Sequence, residues 1–194
     1  VGDSSTQDDL FIRFSDQESI DQSDSYTVTA NNTAGTQRLA DGSRIMGAIK
    51  GRDAIYVWTD TALFLMQFVG APFTFSFQQV GTNCGLIGKN ACIEVYSSSV
   101  RQLQSLPCLV EDHVYSTEGG PGLNTTARDL INCGLNNLFG EVNWFYCSAG
   151  SNLVDRVVTY NYVDSSAKRP IWTIGTLART AWQDSAVFPL PHAT

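Results

Sequence analysis

The chain of 194 residues sets 12 Lys and Arg against 19 Asp and Glu, a net charge of −7, and is 43% hydrophobic and 16% charged. That balance describes a folded protein with material for one or two cored domains, not a disordered one. No stretch joins three Lys or Arg, so capture of phosphates is a poor primary function; no apolar run reaches the ~18 residues of a membrane helix, because Thr59, Asp60 and Gln67 interrupt the best candidate, and a soluble chain is expected.

Val1, Gly2 and Asp3 are polar, with no basic start and no apolar stretch after them, so no signal peptide is expected. Residues 1–42 are rich in Asp, Ser, Thr, Gln and Asn and read as a solvated arm or long loop. One ordered island stands within it, Leu10-Phe11-Ile12-Arg13-Phe14, a short strand.

Residues 43–77 then deliver four predicted strands, at 44–50, 54–58, 62–69 and 73–77. Val, Ile, Phe, Tyr, Trp and Thr dominate them, and turns fall at 51–53, 59–61 and 70–72. Gaps of about three residues suit an antiparallel meander, since parallel strands need crossovers of about a dozen residues. Ile55-Tyr56-Val57-Trp58 and Leu63-Phe64-Leu65-Met66 place apolar groups on both faces, so both faces of the sheet must be covered.

Residues 109–116 form the best helix candidate, a single turn before the Gly119-Gly120-Pro121-Gly122 breaker. A second run of four strands follows at 131–135, 141–147, 154–163 and 170–177. From Ile55 to Val142 the offset is 142 − 55 = 87 residues, close to twice the ~40–50 residues of a propeller blade. The fold class read from this pattern is all-β, with antiparallel four-stranded meanders as β-propeller blades. The blades fall at about 43–78, a partial one at 80–108, and 129–178, within a region 43–194 that ends in a C-terminal tail. An immunoglobulin-like sandwich is the alternative, and it predicts more alternation. Closing a ring of six or seven blades takes about 250–350 residues, so the chain is read as part of a larger ring or of a longer chain.

Chemistry-bearing patterns are sparse. The five cysteines, Cys84, Cys92, Cys108, Cys133 and Cys147, match no CxxC metal spacing and read as free, mostly buried thiols. His113 and His192 stand in no HExxH frame, and neither is expected to bind metal. Ser43 lacks a GxSxG setting and reads as a turn residue before a strand. Around Gly85-Leu86-Ile87-Gly88-Lys89, Asn83 and Asn90 stand where a phosphate loop needs Gly and Ser or Thr; the glycines are expected to serve turns with φ > 0. Asp53, Asp60, Glu94 and Glu141 are nominal carboxylates for glycoside hydrolysis, with Asp53 and Asp60 at positions where Asp bonds its local backbone. Asn31-Asn32-Thr33 and Asn124-Thr125-Thr126 are sequons by letter. Trp58 and Trp144 read as sheet core, whereas Trp182, beside Arg179 and Asp184, is the interface candidate. No catalytic residue, cofactor or metal is expected.

Several phrases together resemble one family. They are Leu10-Phe11-Ile12-Arg13-Phe14-Ser15-Asp16-Gln17-Glu18, Asn32-Thr33-Ala34-Gly35, Gly42-Ser43-Arg44-Ile45-Met46-Gly47-Ala48, Trp58-Thr59-Asp60-Thr61-Ala62-Leu63, Met66-Gln67-Phe68-Val69-Gly70-Ala71-Pro72-Phe73, Asn83-Cys84-Gly85-Leu86-Ile87-Gly88 and Gly175-Thr176-Leu177-Ala178-Arg179-Thr180-Ala181-Trp182. In this order they resemble the tail nozzle, or tail tubular protein B, of short-tailed bacteriophages and the related tail hub or DNA-stabilisation proteins. The resemblance implies a propeller-rich, non-enzymatic virion tail subunit made in the bacterial cytoplasm. It also implies a homo-oligomeric ring, commonly six-fold, that meets other tail, adaptor or fibre proteins and lets genomic DNA pass without sequence-specific binding or membrane insertion. The sequence departs from that family between Val95 and Val100, where a further strand pair is usual, and at Thr194, beyond which such proteins usually continue. The alternative function is a glycan-binding or glycan-cleaving phage propeller for host attachment.

Overall fold

A computed structural model of the chain describes residues 6–19, 24–95, 106, 108–116, 120–166, 168–184 and 190–194. Residues 96–99, where the family resemblance lacks its strand pair, lie outside the described residues, as do Gly119 of the breaker and most of 96–108 in the partial blade. The chain is all-β, built from antiparallel sheets, and divides into two compact units, Val1–Ile87 and Gly88–Thr194.

In the first unit, β3 (Ile45–Lys50), β4 (Ile55–Thr59), β5 (Ala62–Gly70) and β6 (Thr74–Thr82) form a four-stranded antiparallel meander in sequence order. Pairing of Val57 with Phe64 and of Met66 with Phe77 puts Val57, Ala62, Phe64 and Met66 on one face. That face is covered from within the unit by β1 (Phe11–Phe14) and β2 (Gly35–Arg38), an antiparallel pair flanked by Leu10 and Leu39. Leu39 is 1% and Leu10 4% exposed, so these two residues of the polar arm are core. Ala62, Leu63 and Phe64 are buried in succession, which requires cover on both faces of β5.

The predicted strand at 73–77 runs on to Thr82 as an edge strand. Gln78 and Gln79 pair with Leu65 and Phe64 through the backbone, a pairing that asks nothing apolar of their side chains. The glycines of 85–89 do not take up φ > 0. Gly85 is needed for close approach instead, since a Cβ there would overlap the backbone carbonyl of Asp60, and one on Gly88 would meet the Arg128 carbonyl oxygen at 2.5 Å. Residues 83–95 form no strand beyond a single parallel bridge from Asn90 to Asn132.

In the second unit, β7 (Asn132–Asn136), β8 (Glu141–Tyr146), β9 (Arg156–Ser166) and β10 (Arg169–Gly175) form the second meander. Cys133, Leu135, Val142, Trp144, Val158, Tyr160 and Trp172 share one face by their register; Gly134, Asn143, Phe145, Val157 and Thr159 share the other. Phe145 is fully buried and packs with Cys147, Val154, Val157, Ala127 and Trp182. Trp182 arrives on β11 (Trp182–Gln183), which pairs with β12 (His192–Ala193).

The only α-helix among the described residues is the single turn α1 (Glu111–Tyr115), inside the predicted 109–116. A 3₁₀ segment, Thr125–Leu130, was not legible from hydrophobic pattern. The Asn124 side chain starts it by accepting from the Thr126 and Ala127 N–H groups at 3.1 and 3.3 Å.

Candidate functional site

The nominal acid pair does not assemble on β4. Asp53 precedes the strand and Asp60 follows it, so seven residues at about 3.3 Å each separate them by roughly 20 Å, far beyond the ~5–10 Å of a glycosidase pair. Asp60 is occupied, only in small part by its own backbone N–H. It reaches back 17 positions to accept from the Ser43 N–H at 2.7 Å and from the Ser43 hydroxyl. The hydroxyl bond first, and the N–H after it, hold the Asp60 carboxyl below the usual range, which keeps it ionised and unsuited to act as a general acid. Glu141, at the start of β8, accepts from the Asn136 amide at 3.2 Å. Glu94 lies in the strandless 91–95 segment.

No group of three His, Cys, Asp or Glu suited to a metal occurs among the described residues. His113 lies in α1 and His192 in β12. No helix of the described residues is long and apolar enough to cross a membrane. The cysteines carry no disulfide, but only Cys147 is buried: Cys92 and Cys133 are half-buried, and Cys84 and Cys108 are exposed, against the expectation of mostly buried thiols. Cys84 follows β6 on an exposed turn, where no sheet closes over it. The sequon residue Asn124 is a helix cap whose amide also donates to the Ser151 carbonyl at 2.8 Å.

The interface trio Arg179, Trp182 and Asp184 works within the second unit. Trp182 lies over Gly134 and 5.7 Å from the Phe145 ring, and its Nε1–H donates to the Leu135 carbonyl at 2.8 Å. Asp184 accepts from the Asn137 N–H at 3.3 Å and from the Asn137 side-chain amide. The guanidinium of Arg179 donates to the Ala178 carbonyl at 2.7 Å, and its own carbonyl accepts from Asn132 at 3.3 Å. The Trp182 indole, the Asp184 carboxylate and the Arg179 carbonyl clasp the C-terminal segment onto β7 and the turn that follows it.

Trp58 and Trp144 sit in their strands half-buried. Trp58 lies 6.2 Å from Tyr56, and Trp144 Nε1–H donates to the Ala91 carbonyl at 3.1 Å. Trp172 joins Tyr160 at 4.8 Å and Trp144 at 6.0 Å to make an aromatic row across β8, β9 and β10.

Among the described residues the most exposed aromatic surface is one that residue patterns did not single out, the tip of the β5–β6 hairpin. Phe68, Val69 and Phe73 are 69%, 52% and 76% exposed around Gly70 and the cis Ala71–Pro72 peptide. Residues 61–87 contain no Asp, Glu, Lys or Arg, so the whole hairpin is charge-free in a chain of net charge −7. That run without charge was the readable signal. A large exposed apolar tip marks a contact surface. No protein-family model matches the chain, and no curated protein matches it.

Proposed function

We propose that the protein is a non-enzymatic structural subunit of a short-tailed bacteriophage tail, of the nozzle or hub kind, in which its two meanders serve as β-propeller blades of a ring around the DNA exit conduit. The observation that carries this reading is the four-stranded antiparallel meander of β3 to β6, the sheet type of a propeller blade. The ordered phrases of the sequence supply the phage assignment, and the second four-stranded meander supplies the repetition.

Charge fits the role. Every phosphate neutralised by Lys or Arg adds affinity for DNA, so a chain of net charge −7 lets a duplex slide. The same charge makes copies of the chain repel one another, and the charge-free β5–β6 tip is the element through which a second copy docks without that penalty. A glycan-cleaving propeller finds no support in Asp53 and Asp60, at opposite ends of β4; a glycan-binding one would use the row of Trp144, Tyr160 and Trp172.

Electron microscopy and light scattering of the purified chain at increasing concentration test the proposal. Rings of fixed subunit number are expected; a monomer at every concentration, unable to join tail particles, would overturn it.

A further inference from the structure

Residues 91–95 cross the Cys133 face of the second sheet without being a strand, and three contacts hold the segment there. Asn90 bridges Asn132, the Trp144 indole donates to the Ala91 carbonyl at 3.1 Å, and the Cys133 thiol donates to the Cys92 carbonyl at 3.1 Å. The last contact places one cysteine sulfur against the backbone of the other. Since a carbonyl oxygen lies about 2.4 Å from its own Cα, the Cys133 sulfur stands at most about 5.5 Å from the Cys92 Cα. The Cys133 sulfur is about 2.8 Å from its own Cα, so the two Cα atoms stand at most about 8.3 Å apart; disulfides close at ~4.4–6.8 Å, and a shift of at most about 1.5 Å in the strandless 91–95 segment, with side-chain rotation, brings the sulfurs together. Cys147 is no competitor, because it packs with Phe145 on the opposite face of the sheet.

We propose that Cys92 and Cys133 are a redox pair that closes to an intramolecular disulfide, fastening the 91–95 segment to β7. The oxidant is a small disulfide such as oxidised glutathione. The Cys92 thiolate attacks one glutathione sulfur and expels a glutathione thiolate, leaving a mixed disulfide. Cys133 then loses its proton, attacks the Cys92 sulfur and expels the second glutathione. One protein S–S bond forms, one glutathione S–S bond breaks, and two electrons pass from the protein to glutathione.

Burial pushes the Cys133 thiol up to about 12, with the neighbouring Cys92 adding to the rise, and burial raises Cys92 as well. Neither thiol is appreciably ionised at neutral pH, so the link forms slowly there and faster as the solution is made alkaline.

Incubating the intact chain with oxidised glutathione at mildly alkaline pH, alkylating the remaining thiols and sequencing tryptic peptides by mass spectrometry tests the pair. The expected product joins peptide 90–101 to peptide 129–156 through Cys92 and Cys133. It should exceed any other cysteine pairing by about tenfold in native protein and lose that preference in urea. A Cys147→Ser variant, which removes the second cysteine of the larger peptide, should keep the link. Glutathione adducts on Cys92 and Cys133 without a cross-link, or the same mixture of pairings in native protein and in urea, would overturn the inference.

Discussion

Trp182 lies on the space that a side chain at Gly134 would fill, and its Nε1–H donates to the carbonyl of the next residue, Leu135, at 2.8 Å. Gly134 is not at a positive φ, so its role is to leave room for the indole. Gly134→Val should lift Trp182 off β7 and cost about 1–3 kcal/mol, the usual range for overpacking a filled site. Urea denaturation would read the cost, and a red shift of tryptophan emission the exposure. Unchanged stability would mean that the clasp does not hold the C-terminal segment.

Each sheet has a core residue whose truncation should be expensive. Phe145 is 0% and Leu39 1% exposed, so Phe145→Ala should cost about 3–5 kcal/mol and Leu39→Ala about 2–5 kcal/mol. Hydrogen exchange separates them: Leu39→Ala should loosen β5, and Phe145→Ala should loosen β8. If Leu39→Ala leaves β5 protection intact, the arm is not part of that core.

Acid should weaken the first unit through Asp16. Its carboxylate is held below the usual range by the Thr33 N–H at 2.8 Å, then the Thr33 hydroxyl at 2.7 Å and the Gln17 N–H at 2.9 Å. A group depressed on folding adds stability above its unfolded value, about 3.9, and that stability is lost as pH falls through the folded value. Asp16→Asn keeps an acceptor oxygen and removes the charge. The wild type should therefore melt higher than the variant near neutrality, with the gap closing in acid. A gap independent of pH between 7 and 2 would assign the effect to shape alone.

Assembly should separate from stability at the hairpin tip. Val69→Ser with Phe73→Ser removes exposed apolar groups, so stability should stay within about 0.5 kcal/mol. If the tip joins copies of the chain, light scattering should report a smaller species. Full-sized rings from this double variant would remove the tip from the interface.

The eight strands of the two meanders were readable because Val, Ile, Phe, Tyr and Trp crowd them and because turns of a few residues allow only antiparallel neighbours. The β2 strand, Gly-Thr-Gln-Arg, was hidden. It pairs through its backbone with Phe11–Phe14 and buries none of its own four residues, so the burial signal moved to Leu39 just beyond it. The two-residue β11 and β12 are too short for any period. Asp60 was legible as a turn residue, but its partner Ser43 is fixed by the meeting of two loops, a long-range relation that local pattern does not encode. The partner of Trp182 was hidden for the same reason: nothing in its neighbourhood of the chain announces the glycine 48 positions earlier that receives it.

The order in which the two cores receive their lids matters while the chain is being made. Leu10 and Leu39 leave the ribosome before β5, so the first sheet meets its cover as it emerges. Phe145 must wait 182 − 145 = 37 residues for Trp182, which at about 5–20 residues per second is an interval of roughly 2–7 s. In that interval the second sheet is the half of the nascent chain that a chaperone has reason to hold.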